Sequence, residues 1–286
     1  MSSPPICLGD TVLLADVGNT RIKLAVLVDH GVMDPEQPTL HPSQLTRRLP
    51  TVGRRHDLTS RGFRHDQLEK WLKSVAPGAA VVIVASVHDA AAAKLEACLA
   101  ELSVTSHRPL RQRRIGHADL PLLIRLESPH KVGIDRLAAA AAAGIVKTLG
   151  RSAIIVDCGT AATVDMVSAD GEFLGGAILP GPSLMARALA EGTSKLPEVL
   201  ALEQSAPPPM PGRSTHEAIA AGIGFGIQGA IARLVAEARS TLGGDADVIL
   251  TGGWRGAVRA VLPGALDMPD LVLMGVALAA ERACAR

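Results

Sequence analysis

Apolar residues in this chain come in short runs cut by glycine, and two of the runs share a layout. Leu13-Leu14-Ala15 leads into Asp16-Val17-Gly18-Asn19-Thr20 and a second apolar run over 22–28; Ile154-Ile155-Val156 leads into Asp157-Cys158-Gly159-Thr160 and a second run over 164–167. Each predicts a β-hairpin on a glycine turn. The aspartates lie 157 − 16 = 141 positions apart, close to half of the 286 residues, which points to two copies of one structural unit. Coincidence is the competing reading, because Asp-x-Gly turns are common.

Around the hairpins the pattern predicts a buried strand at 79–86 and an alanine-rich helix at 90–102. It predicts loops around a short helix near 43–49 within 35–66, and a solvated basic connection at 107–114 rather than a phosphate or RNA contact. A helix over 135–149 leads into the second hairpin. Beyond it come a strand at 173–179, a helix at 183–191, a proline-rich loop at 206–212 and a helix at 216–242 with Thr215 as N-cap. A strand at 248–251 and a last helix at 271–283 complete the series. Alternating strands and helices in two similar halves predict an α/β chain with domains at 11–150 and 151–286.

Composition narrows the chemistry. Hydrophobic residues make up 48%, enough for a core in each half. Lysine and arginine number 29 against 28 acids, a net charge of +1, so neither nucleic acid nor an anionic membrane is attracted in general and any anionic ligand needs a local site. With no tyrosine, two tryptophans and three phenylalanines, a base-stacking platform has little to work with. The four cysteines show no CxxC or Cys/His spacing, which argues against a disulfide framework or a zinc site. The apolar runs at 79–87 and 137–146 are too short to span a bilayer, and the first residues lack a signal-peptide pattern, so the expectation is a soluble cytoplasmic protein.

The turns carry the candidate chemistry. Phosphoryl transfer needs backbone N–H donors, a divalent metal and a base at the acceptor hydroxyl. Gly18 and Gly159 are expected to give each turn positive φ and open the main chain to a phosphate. Asn19, Thr20 and Thr160 add side-chain donors, and Lys23 stands within reach of a phosphate. Asp16 and Asp157 would repel phosphate without a cation between, which makes them candidate partners for hydrated magnesium or another bound cation. Each glycine is otherwise a tight turn and each aspartate a turn or cap residue.

The combination of Asp16-Val17-Gly18-Asn19-Thr20, Gly133-Ile134-Asp135-Arg136, Asp157 to Thr163, Gly175 to Gly181 and Thr251-Gly252-Gly253 resembles the type III pantothenate kinases in order and spacing. The resemblance implies a duplicated actin-like, ribonuclease H-like two-domain fold and a homodimer. It implies ATP-dependent phosphorylation of pantothenate, the first step of coenzyme A synthesis, with Mg2+ and a monovalent cation, K+ or NH4+. By the same resemblance Asp16, Val17, Gly18, Asn19, Thr20, Arg21, Ile22 and Lys23 hold the ATP phosphates, Thr160 adds a nucleotide contact and Asp157 binds the monovalent cation. Gly133, Ile134, Asp135 and Arg136 form the pantothenate segment with Asp135 as general base, and Thr215 contacts substrate from the partner region. From spacing alone, Asp135 reads first as a helix N-terminal residue paired with Arg136 or the helix dipole; the resemblance reverses that order. The sequence departs from the family at Leu126, where a tyrosine is usual, and at Ala139 and Ser214, where asparagine is common. A kinase of the same fold for another hydroxyl substrate, and a non-catalytic accessory relative, are the rival readings. The alanine-rich segment 137–146 is the expected apolar surface for a subunit contact.

Overall fold

The computed structural model describes residues 10–29, 48–199 and 208–284. These divide into two compact units. One takes the described residues up to Leu122, Glu127–Val146 and those from Leu271 onward; the other takes Leu123–Leu126 and Lys147–Asp270.

The first unit is built on β1 (Thr11–Val17), whose run from Val12 to Val17 is buried throughout because the strand is central. It pairs antiparallel with β2 (Arg21–Asp29), which pairs antiparallel with β3 (Thr51–Thr59). Helix α1 (His65–Val75) buries Leu68, Trp71 and Leu72, one apolar face at i, i+3 and i+4. On the other side of β1 lie β4 (Ala80–Ser86) and β5 (Leu110–Arg114), both in parallel pairing, with α2 (Asp89–Thr105) between them in sequence. Helix α3 (Ile134–Val146) completes the contiguous part.

Two stretches correct the expectation from sequence. Residues 51–59 form a strand, not a loop, because the outer edge of β2 supplies a ladder that outweighs the weak strand preference of a Gly-Arg-Arg-His segment. Residues 110–114 form edge strand β5, and its arginines are neutralised by protein acids: Arg113 by Asp119 at 2.7 Å, and Arg114 by Glu96 at 3.0 Å and Asp89 at 3.1 Å. The helix expected near 43–49 falls mostly outside the described residues.

The second unit carries β6 (Leu123–Ile124), β7 (Ser152–Cys158), β8 (Ala161–Val167), β9 (Glu172–Pro180), α4 (Pro182–Gly192), α5 (Thr215–Thr241), β10 (Ala246–Gly252) and β11 (Leu266–Asp267). Helix α6 (Leu271–Cys284) belongs to the first unit. Sheet order is β3-β2-β1-β4-β5 in the first unit and β11-β10-β7-β8-β9-β6 in the second. Without β6, the second sheet read in reverse repeats the first, with the same antiparallel hairpin beside the same parallel neighbour. The duplicated hairpins are the matching centres of a duplicated, actin-like α/β fold.

Two further expectations change. The alanines of α3 are not left for a partner: Ala138 to Ala143 are buried, and α3 packs against α6 of its own unit. Helix α5 is long and apolar enough to cross a bilayer by length and composition, with a mean hydropathy of 1.6 in its best 18-residue window. One face of it, Ile227, Ile231 and Val235, is committed to the core of the second unit.

Candidate active site

In the first unit the ladder sets Asp16 opposite Lys23, and Lys23 opposite Asp57, so three charged residues form a row across β1, β2 and β3. Lys23 Nζ lies 3.6 Å from Asp16 Oδ2. Burial pushes the Asp16 carboxyl up from 3.8 to about 6; Lys23 opposes that shift, and the nearby negative charge of Asp135 adds to it. Asp135, remote in sequence, is therefore electrostatically coupled to the first turn.

Asp135 sits in the first turn of α3, and its Oδ1 accepts the Arg136 N–H at 2.8 Å. A Cβ on Gly133 would stand 2.5 Å from that same oxygen, so only glycine leaves the carboxylate its place. Burial raises the Asp135 pKa, opposed by the Arg136 N–H and guanidinium.

Neither turn glycine has positive φ, contrary to expectation. Their requirement is close approach: a Cβ would meet the Arg21 carbonyl oxygen at 3.2 Å from Gly18, and the Ala161 carbonyl oxygen at 3.2 Å from Gly159. Protein donors hold the carbonyls of both turns. Ser60 Oγ donates to Gly18 O at 2.7 Å and Ser60 N–H to Thr20 O at 3.0 Å. In the second unit Trp254 Nε1 donates to Gly159 O at 2.7 Å and Gly181 N–H to Thr160 O at 3.1 Å. Fixing the carbonyl ends of a turn fixes the direction of its peptide dipoles, which is what a preorganised anion site requires. Sequence reasoning missed Ser60 and Trp254.

Asp157 stands at the end of β7 beside Gly252, which has φ +89°; a Cβ there would lie 2.5 Å from Asp157 Oδ1. The residue directly opposite Asp157 on β8 is Thr163, whose Oγ1 is buried with no hydrogen-bond partner. A carboxylate and an orphaned hydroxyl on one face are oxygen ligands suited to a hard cation. Among the described residues no three His, Cys, Asp or Glu side chains cluster as an all-protein metal cage. Thr160 shares this turn, whereas Thr215 is exposed as the first residue of α5, capped by Ser214 and not by itself. Ser214 Oγ accepts the Glu217 N–H at 3.2 Å. A cavity of about 210 Å³ opens beside Gly253, lined also by Arg255 and Arg259.

Comparison with known proteins decides the affiliation. The type III pantothenate kinase family profile matches residues 12–237. The chain is 33% identical over 281 residues to the type III pantothenate kinase of Nitratidesulfovibrio vulgaris (strain DP4), covering 93% of this chain and 95% of that one. The chain belongs to the type III pantothenate kinase family. Its Moorella thermoacetica relative is 33% identical over 276 residues, with 95% and 99% covered. A Baf family protein from Campylobacter jejuni shares the fold, with a TM-score of 0.51 at 18% identity over 92% of this chain and 94% of that one.

In this chain Asp16 is an acid buried at the first turn, and that carries a stability cost. Between pH 3.8 and about 6 the folded protein holds the Asp16 proton that the unfolded chain releases. The native state then binds more protons, so stability falls as pH rises through that window and levels off above it. Asp16→Asn removes the cost. Urea unfolding of the ligand-free protein is expected to show a stability gain about 1.5 kcal/mol larger at pH 8 than at pH 5; equal gains at the two pH values would contradict it.

Proposed function

We propose that the chain transfers the γ-phosphoryl group of ATP to the primary hydroxyl of pantothenate, the first step of coenzyme A synthesis, in the cytoplasm. The observation that carries this reading is the buried Asp16 paired with Lys23 at 3.6 Å on the first hairpin, with Asp135 at the start of α3 in the same unit. Residues Asp16 to Lys23 receive the ATP phosphates, Thr160 adds a nucleotide contact, and the cavity beside Gly253 is the candidate adenosine region. Mg2+, bound with the nucleotide and held by Asp16, would neutralise charge on the phosphate oxygens. Gly133 to Arg136 orient pantothenate. Asp135 Oδ1 is occupied by the Arg136 N–H, so Oδ2 accepts the hydroxyl proton, and the raised pKa makes it a better base than an exposed carboxylate.

Asp157, with Thr163 opposite, holds the monovalent cation, K+ or NH4+. ADP release in the presence of pantothenate is expected to require one of these ions, and Asp157→Ala to lower their apparent affinity at least about tenfold. Full activity with sodium alone would sink this assignment.

The enzyme acts as a homodimer in which Thr215 contacts substrate from the partner region. With α3 committed to its own unit, α5 supplies the candidate contact: Gly222, Gly226 and Gly229 face open space, and Phe225 is 42% exposed. Such a stripe lets two backbones approach closely. Light scattering at micromolar concentration is expected to give twice the 29.6 kDa chain mass, and Phe225→Glu to give the monomer; a monomeric wild type would remove the dimer.

A further inference from the structure

Because the fold is duplicated, the hydrogen bonds that hold one turn can be matched to those that hold the other. By sheet order β3 corresponds to β9 and β4 to β10. Directly after β3 the Ser60 N–H donates to Thr20 O at 3.0 Å, and directly after β9 the Gly181 N–H donates to Thr160 O at 3.1 Å. Thr20 and Thr160 hold equal places, each the last residue before the second strand of its hairpin. Just past β4 the Val87 N–H reaches Val17 O at 3.1 Å, and just past β10 the Trp254 N–H reaches Cys158 O at 3.3 Å. Val17 and Cys158 each end the first strand of the hairpin. Both halves therefore keep the same main-chain braces.

The side-chain brace is different in each half. It falls on the same atom, the carbonyl oxygen of the turn glycine, and at the same 2.7 Å, but Ser60 Oγ donates to Gly18 and Trp254 Nε1 to Gly159. One donor follows β3 and the other follows β10, elements that do not correspond. Two unrelated side chains thus meet one requirement, the direction of that carbonyl. In a trans peptide the N–H points opposite to the C=O of the same plane. Ser60 and Trp254 are only 4% and 2% exposed, so each draws its glycine carbonyl inward. The Asn19 N–H and the Thr160 N–H, which share those two peptide planes, are turned away from the buried donors.

We propose that Ser60 and Trp254 are positioning residues for phosphoryl transfer, each aiming one turn N–H, that of Asn19 or that of Thr160, at the nucleotide phosphates. Neither side chain touches the nucleotide; each acts through the peptide it holds, as preorganised donors require. The inference rests on the assignment of the two turns to ATP.

The test is calorimetric titration of the full chain with a non-hydrolysable ATP analogue and Mg2+, alongside steady-state kinetics. Ser60→Ala and Trp254→Phe are each expected to raise Kd for the analogue and KM for ATP about fivefold, the loss of one net hydrogen bond. KM for pantothenate changes less than about twofold. Ser60→Thr, which keeps the hydroxyl, restores most of the affinity, whereas Ser60→Val, of the same shape without it, does not. Trp254→Phe keeps a large ring in the core of the second unit; a Trp254→Phe chain that does not fold leaves the decision to the Ser60 series. Unchanged nucleotide affinity in Ser60→Ala overturns the positioning role, as do equal affinities in the Thr and Val variants or an equal rise in KM for pantothenate. A wild type that binds the analogue but phosphorylates no pantothenate overturns the substrate reading alone, since the calorimetry still decides this one. A wild type that binds no nucleotide overturns both.

Discussion

Asp135→Asn is expected to cut turnover with pantothenate at least about a hundredfold while leaving ATP affinity nearly unchanged, since general-base contributions run to about 10²- to 10⁴-fold. The amide retains an oxygen that can accept the Arg136 N–H now bonded at 2.8 Å, so the first turn of α3 should persist. What it loses is the basic Oδ2. In the proposed assignment the nucleotide phosphates depend instead on the turn from Asp16 to Lys23, in which the Gly18 and Thr20 carbonyls are tied to Ser60. Single-turnover phosphorylation checks the first part and nucleotide calorimetry the second. A variant with more than about a tenth of wild-type turnover removes Asp135 from the base role; loss of ATP binding means the acceptor and nucleotide sites are assigned wrongly.

The largest stability effect is expected from a single methyl group at Gly275. In α6 this glycine lies against the backbone of Ala138 in α3; an added Cβ would overlap the Ala138 carbonyl and approach its Cα to 2.8 Å. Backbone atoms cannot rotate aside as a flexible side chain can, so the helices must separate. Gly275→Ala gains helix propensity of about 1 kcal/mol, but overpacking in a closed contact costs about 3 kcal/mol or more, and the second effect wins. Gly144→Ala in α3, where a Cβ meets nothing within 4 Å, is the control and should stabilise by about 0.5–1 kcal/mol. Urea unfolding of both variants checks the sign: a Gly275→Ala protein as stable as wild type would show that α3 and α6 are not in backbone contact.

The hairpins were legible because their apolar runs and Asp-x-Gly turns are local, and the repeat at 141 residues announced the duplication that the two sheet orders display. Edge strands β3 and β5 were not legible. Their residues are polar because one side of the ladder is open, and their conformation comes from β2 and β4 rather than from their own sequence. The braces of the two turns were hidden for a related reason: Ser60 lies 42 residues from Gly18, and Trp254 lies 95 residues from Gly159. Gly18 and Gly159 were singled out for the wrong property, since a carbonyl oxygen 3.2 Å from an added Cβ, not positive φ, crowds a side chain there. Asp135 gave no local sign of its coupling to Asp16, because that proximity arises only from the fold.

The central claim is that this chain moves a phosphoryl group from ATP to pantothenate. Its most direct test is phosphorus NMR of the purified protein with Mg·ATP, K+ and pantothenate. The expected result is a phosphomonoester on the primary oxygen of pantothenate, formed in equal amount with ADP and absent when pantothenate is omitted. ADP appearing at the same rate without pantothenate, or no phosphomonoester in the presence of both cations, would contradict the account.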